Sequence, residues 1–226
     1  MIIRKNNIDA GSFNMDNILS FDENNEAFQQ AIYFDLEHYV YKKPVCVGVF
    51  GCSYYDKESN EIKVTQYMIE NSVDAKKILT LAEEYFKDMY LNKNKKYIVT
   101  FSGNNDFTVI NYLFKKYEID FNIEEHFVQI DLQKMYEKDK KTSIGLKALE
   151  KEFQINRDSE LISGSNLAKT IGKIVKDKEY FDRMPEDKKN KILLYNEQDV
   201  VSLFHIIVNW NNIIFNSSVE EVLEES

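Results

Sequence analysis

The sequence predicts an α/β domain built on a five-stranded mixed sheet, three antiparallel strands plus two parallel ones, flanked by helices. Three observations carry that prediction. Short runs rich in Val, Phe and Tyr, separated by turn residues, fill the stretch from residue 31 to residue 68. The apolar period then changes from two to about 3.6 residues near Asp74. From Lys96 onward strands and helices alternate, the order expected of parallel neighbours joined by crossover helices.

Each element follows from local pattern. Ala31 to Leu36 reads as the first strand, and Val45 to Tyr55 as the second, with Lys42, Lys43 and Pro44 as the turn between them. Glu61 to Met68 is the third, after the turn signal Asp56 to Asn60. Short connections make these three an antiparallel meander. Asp74 to Met89 is helical, with Ile78, Leu81, Ala82, Tyr85, Phe86 and Met89 on one stripe. Lys96 to Phe101 is a strand, Ser102 to Asn105 a loop, Phe107 to Tyr117 a helix, and Phe127 to Ile130 the fifth strand. Ser143 is the expected N-cap of a helix whose stripe is Ile144, Leu146, Leu149 and Phe153. Ser163 or Ser165 starts another helix, running to about Val175. Pro185 precedes a long final helical pattern through Ile214. Residues 1–28 read as an irregular Asn- and Asp-rich lead-in, 29–215 as one domain, and 216–226 as an acidic tail.

Composition narrows the function classes. A chain of 226 residues with 43% hydrophobic residues suits one α/β domain, or at most two small ones. The 14 Tyr and 15 Phe are expected mainly in the core. Cys46 and Cys52 share strand parity but lie too far apart along the strand to bridge, so reduced thiols and a cytoplasmic location are expected. No signal-peptide pattern is visible, and no apolar run approaches the roughly 18–20 residues that span a bilayer. The net charge of -9 argues against a protein that coats nucleic acid. It argues less against an enzyme that engages one strand end. Two lysine clusters, Lys138 to Lys151 and Lys173 to Lys178, read as solvated helix faces.

Four acids stand at spacings that let them share metal ions. Asp35 and Glu37 are two apart on a strand and project from one face. Tyr195 and Asp199 are four apart on a helix and share a face. Asp106 follows a strand and a Gly-containing loop between them. Hard divalent ions prefer such oxygen ligands, and two of them about 3.5–4 Å apart support phosphodiester hydrolysis. Each residue also has a plainer role: Asp106 could cap the helix that follows it, and Tyr195 and Asp199 could be an ordinary helix pair. Asp131, ending the fifth strand, reads as a capping acid rather than a fifth ligand. His38, His126 and His205 show no ligand spacing, and strand alternation turns His38 away from the face of Glu37.

These stretches resemble the DEDD 3′–5′ exonucleases of the ribonuclease-H-like fold. Phe34-Asp35-Leu36-Glu37 resembles their first motif, Phe101 to Phe107 the second, and Tyr195 to Val200 the third in its tyrosine (DEDDy) form. Ile144 to Glu150 resembles the Leu-Lys-x-Leu-Glu helix of the YprB-like branch. The second-motif loop departs from that branch: Ser102 replaces its usual asparagine, and one residue fewer precedes the aspartate.

The resemblance implies Asp35, Glu37, Asp106 and Asp199 as ligands of two divalent ions, Mg²⁺ or Mn²⁺, with Asp35 bridging. Tyr195 would orient the attacking water. Substrate contacts would fall at Leu36, Gly103, Asn105, Phe107 and Lys147, and Phe101 or Tyr39 could stack on terminal bases. The implied reaction removes nucleoside 5′-monophosphates from the 3′ end of single-stranded DNA or RNA. Two alternatives stay open at this stage: an endonuclease on structured or hybrid nucleic acid, and a binding module of the same fold with little turnover.

Overall fold

A computed structural model describes residues 1–21, 24–157 and 162–216. Its strands are β1 (Ile2–Asp9), β2 (Ala31–Tyr41), β3 (Lys43–Asp56), β4 (Glu61–Met68), β5 (Tyr97–Thr100) and β6 (Val128–Asp131). Its α-helices are α1 (Asp74–Leu91), α2 (Asn104–Lys116), α3 (Ile123–His126), α4 (Leu132–Lys140), α5 (Leu146–Glu152), α6 (Gly164–Lys176) and α7 (Glu186–Asn211).

The six strands form one mixed sheet in the order β1-β4-β3-β2-β5-β6. β2, β3 and β4 make the expected meander, and β2-β5 and β5-β6 are parallel. The sixth strand corrects the expectation of five. Ile2–Asp9, read as part of an irregular lead-in, pairs antiparallel with β4 at the sheet edge. Its half-covered positions are Ile2, Arg4, Asn6 and Ile8, a face too polar to register as a strand. Charged residues such as Arg4 and Lys5 suit an edge, because they discourage further strand pairing. Asn6 Nδ2 ties this edge to α7 by donating to Glu197 Oε2 at 3.1 Å.

Other boundaries move as well: β2 runs on past Leu36 to Tyr41, and α2 starts at Asn104, inside the expected loop Ser102 to Asn105. Lys43 and Pro44 belong to β3, and the turn tightens onto Lys42, which takes a left-handed φ of 60°. α5 starts at Leu146 with Gly145 as its N-cap, not at Ser143. The Ser143 hydroxyl instead donates to Glu137 Oε1 at 2.6 Å. Ser163 does cap α6, its Oγ accepting from the Asn166 amide. The expected tail beyond residue 216 lies outside the described residues.

Alternation along β2 splits the core across the sheet. Ile32, Phe34 and Leu36 pack under α1 and α2, whereas Ala31 and Tyr33 face the side of α4, α5 and most of α7. The aromatics do fill the interior: Phe34 lies 5.5 Å from Phe86 and 5.7 Å from Phe50. Cys46 and Cys52 are buried free thiols. No described helix is long and apolar enough to cross a membrane.

Candidate active site

β2 and β3 place the first acid. Asp35 pairs with Gly51, which in turn pairs with Gln66 on β4, so the three form one row across the sheet. Gly51 leaves that row open above its backbone. A Cβ there would sit 2.1 Å from Asn196 Oδ1, so only glycine lets α7 bring Asn196 down onto the sheet. The buried Asn196 donates from Nδ2 to Asp35 Oδ2 at 2.8 Å. Its Oδ1 accepts from Gln66 Nε2 at 2.7 Å. Gln66 also donates to the Leu193 carbonyl at 2.8 Å. This chain of bonds fixes the Asp35 carboxylate through α7.

Glu37 projects from the same face, as the two-residue spacing requires. Asp199 meets both from α7. Among the described residues, Asp35, Glu37 and Asp199 form a trio whose ligand oxygens all lie within 4.8 Å of one another. Burial and crowding show in the proton affinities of Asp35 and Glu37. Burial first, then the charge of Asp199, raises Asp35 from its ordinary 3.8 to about 7, despite the opposing hydrogen bond from Asn196. Burial, then Asp35, Asp199 and Asp106, pushes Glu37 well up.

Two cations stand at Asp199. Lys147 Nζ donates to Asp199 Oδ1 at 2.9 Å, and Arg157 Nη2 donates to the same oxygen. Arg157 is itself gripped by Glu150, with Nε 2.7 Å from Oε2 and Nη2 on Oε1. Its side chain is only 7% exposed. Both cations also face the Tyr195 ring, with Lys147 Nζ 4.2 Å and the Arg157 guanidinium carbon 5.4 Å from its centroid. Burial, then Asp199, Glu37 and Asp35, raises the Tyr195 phenol. Tyr195 therefore keeps its proton at neutral pH.

Asp106 stands at the rim, outside the tight trio. It occupies the first turn of α2, whose N-cap is Gly103, so it is not the cap. Burial, then the charges of Asp35, Asp199 and Asp131, raises it well above its ordinary value. His38 corrects the alternation argument. The pairing of β2 with β3 shifts register between Glu37 and His38, and His38 Nε2 comes to 3.6 Å from Asp106 Oδ1. Asp131 is the predicted capping acid: its Oδ1 accepts from Gln133 N at 3.1 Å and from Ser102 N at 2.9 Å. That second bond steadies the loop before Asp106, where Ser102 has a φ of 55°.

The expected substrate contacts fall in different settings. Asn105 is exposed beside Asp106, and Lys147 is on Asp199. Leu36 is buried, and Phe107 is core, 5.9 Å from Phe34. Gly103 is buried against Thr100, whose Oγ1 would lie 2.3 Å from an added Cβ. Sequence reasoning missed Asn196, Gln66 and Arg157. Gly51 was the available signal for the first two, since a glycine inside a strand marks a close approach. Arg157 carried none, being a loop residue 42 positions from its partner.

The donor set suits a hard divalent cation. It consists of carboxylate oxygens, from two rigid elements, with Asp35 oriented by a buried amide and both Asp35 and Glu37 raised in proton affinity by burial and by neighbouring carboxylates. Among the described residues no histidine or cysteine joins the trio.

A family model described as the RNase H superfamily matches residues 32–211, well over half of the chain. The match includes all five residues of the site. No curated protein matches. A superfamily match and an acidic trio together point to a nuclease-type hydrolase acting on nucleic acid, with the trio as its candidate metal site. The chain belongs to the RNase H superfamily.

Proposed function

We propose that the protein is a divalent-metal-dependent 3′–5′ exonuclease of the DEDDy type, similar to the YprB-like branch. It would remove nucleoside 5′-monophosphates from the end of single-stranded DNA or RNA. The observation that carries this reading is the convergence of Asp35, Glu37 and Asp199 within 4.8 Å, with Tyr195 on the same face of α7 as Asp199.

Asp35, Glu37 and Asp199 would hold two ions, Mg²⁺ or Mn²⁺, with Asp106 completing the set from the rim. Bound there, the ions supply charge neutralisation and a water of lowered pKa. The chain's own groups do the rest. Asn196 holds Asp35 in a single orientation. Tyr195, kept protonated, donates a hydrogen bond that orients the attacking water. Lys147 is placed to meet a phosphate oxygen as its bond to Asp199 loosens. Hydrolysis adds water across the bond between phosphorus and O3′, so the terminal nucleotide leaves as a 5′-monophosphate and the strand keeps a new 3′-hydroxyl. The buried free thiols suit a reducing, cytoplasmic setting.

The test uses labelled linear and circular single strands, incubated with Mg²⁺ or Mn²⁺ and with chelator. Stepwise loss of the linear strand from its 3′ end, abolished by chelator and by Asp35→Ala, supports the reading. Nicking of circles would make the protein an endonuclease. Intact strands in every tube would leave only a binding module.

A further inference from the structure

A cationic groove of about 560 Å³ runs between α6 and the start of α7. Lys169 and Lys173 line one wall, and Lys188 and Lys191 the other, with Asp187 as the acidic residue among them. On a chain of net charge -9 this concentration needs a reason. All four lysines are exposed. Tyr180 sits at the rim between the walls: Lys188 Nζ donates to its hydroxyl at 3.2 Å, and Lys173 Nζ lies 5.6 Å from its ring centroid.

Both walls lead to the acids. α6 is seated on β2, the strand of Asp35 and Glu37. Gly172 packs against the Tyr39 ring, which an added Cβ would approach to 3.0 Å, and Lys176 Nζ lies 5.4 Å from the same ring. The opposite wall is the helix of Tyr195 and Asp199. Lys188, Lys191, Tyr195 and Asp199 succeed one another at helical spacings of three and four, so they lie on one stripe of α7. At 1.5 Å per residue, Lys191 is about 6 Å and Lys188 about 10 Å along the axis from Tyr195.

We propose that this groove holds the phosphate backbone of a single-stranded polynucleotide whose 3′ end occupies the acidic site. The proposal rests on the nuclease reading above and adds the path of the strand. Spaced point charges that track a backbone, with an aromatic ring at their margin, are what sequence-tolerant single-strand binding requires. Phosphate neutralisation by these lysines also overcomes the repulsion from an acidic protein.

The test is fluorescence anisotropy of the full chain with labelled 20-nucleotide DNA and RNA single strands, and with the matching duplex, in chelator to prevent cleavage. One variant carries Lys169→Gln, Lys173→Gln and Lys188→Gln. A control of equal charge carries Lys76→Gln, Lys77→Gln and Lys93→Gln, exposed residues on and after α1. The groove variant should bind a single strand at least tenfold more weakly. Its slope of log affinity against log salt should fall by about 2, from roughly 0.7 per lost contact. The control should match the wild type. Equal binding by the groove variant, equal weakening in both variants, or wild-type preference for duplex would each overturn the groove. Wild-type protein that neither binds nor cleaves any strand would instead remove the nuclease reading beneath it.

Discussion

Asp35→Asn is expected to make the metal-free protein more stable while abolishing its response to metal. In the native state Asp35 holds its proton to about pH 7, against an ordinary value of 3.8. Each tenfold change in proton affinity corresponds to about 1.4 kcal/mol, so ionising this buried acid costs the fold on the order of 4 kcal/mol. The sign follows from proton counts. Below pH 4 both folded and unfolded chains carry the proton, and the acid costs nothing. Between pH 4 and 7 the unfolded chain has lost a proton that the folded chain keeps, so stability falls as pH rises. Above pH 7 the penalty is constant. Asparagine removes the ionisation but can still accept the bond from Asn196 Nδ2. Urea unfolding in chelator should therefore show the variant and wild type nearly equal at pH 4. The variant should gain progressively, up to about 4 kcal/mol, at pH 8. Saturating Mn²⁺ should then stabilise the wild type, by about 2.7 kcal/mol at a hundredfold excess over Kd, and not the variant. A pH-independent difference between the two proteins would refute the reasoning.

Three further perturbations test separate parts of the site. Tyr195→Phe removes the hydroxyl proposed to orient the attacking water and leaves the carboxylate ligands in place, so hydrolysis should slow more than tenfold while calorimetric Mn²⁺ affinity is unchanged. Lys147→Gln removes a positive charge 2.9 Å from Asp199 Oδ1, and Mn²⁺ should bind about tenfold more tightly, as read by calorimetry; weaker binding would make Lys147 a support of the site rather than a competitor. Gly51→Ala forces Asn196 off the sheet, and should cost roughly 1–3 kcal/mol in urea unfolding together with reduced Mn²⁺ affinity; wild-type behaviour would show that Asn196 does not position Asp35.

The parts of the site legible in the sequence are those set by a repeating geometry. Asp35 and Glu37 share a face because strand side chains alternate, and Tyr195 and Asp199 because a helix turns every 3.6 residues. The meander and the parallel pair were readable because their strands are dense in Val, Ile, Phe and Tyr. What stayed hidden depends on partners distant in sequence. β1 is a strand because β4 offers it an edge, not because Arg4, Lys5, Asn6 and Asn7 favour extension. The cation that meets Asp199 from a loop, Arg157, is chosen by tertiary packing alone. His38 reaches Asp106 through a register shift, which strict alternation does not anticipate. Asn196 stands beside Tyr195 in sequence, yet its role emerges only when Gly51 and Gln66 are seen beneath it.

The central claim is that the oxygens of Asp35, Glu37 and Asp199 enclose divalent cations. Anomalous diffraction from crystals grown with Mn²⁺ addresses it without reference to any substrate. Density for manganese bounded by those three carboxylates, with Asp106 at its edge and Lys147 displaced from Asp199, is the predicted result. Manganese absent from that place, with Lys147 and Arg157 still on Asp199 at saturating concentration, would contradict it.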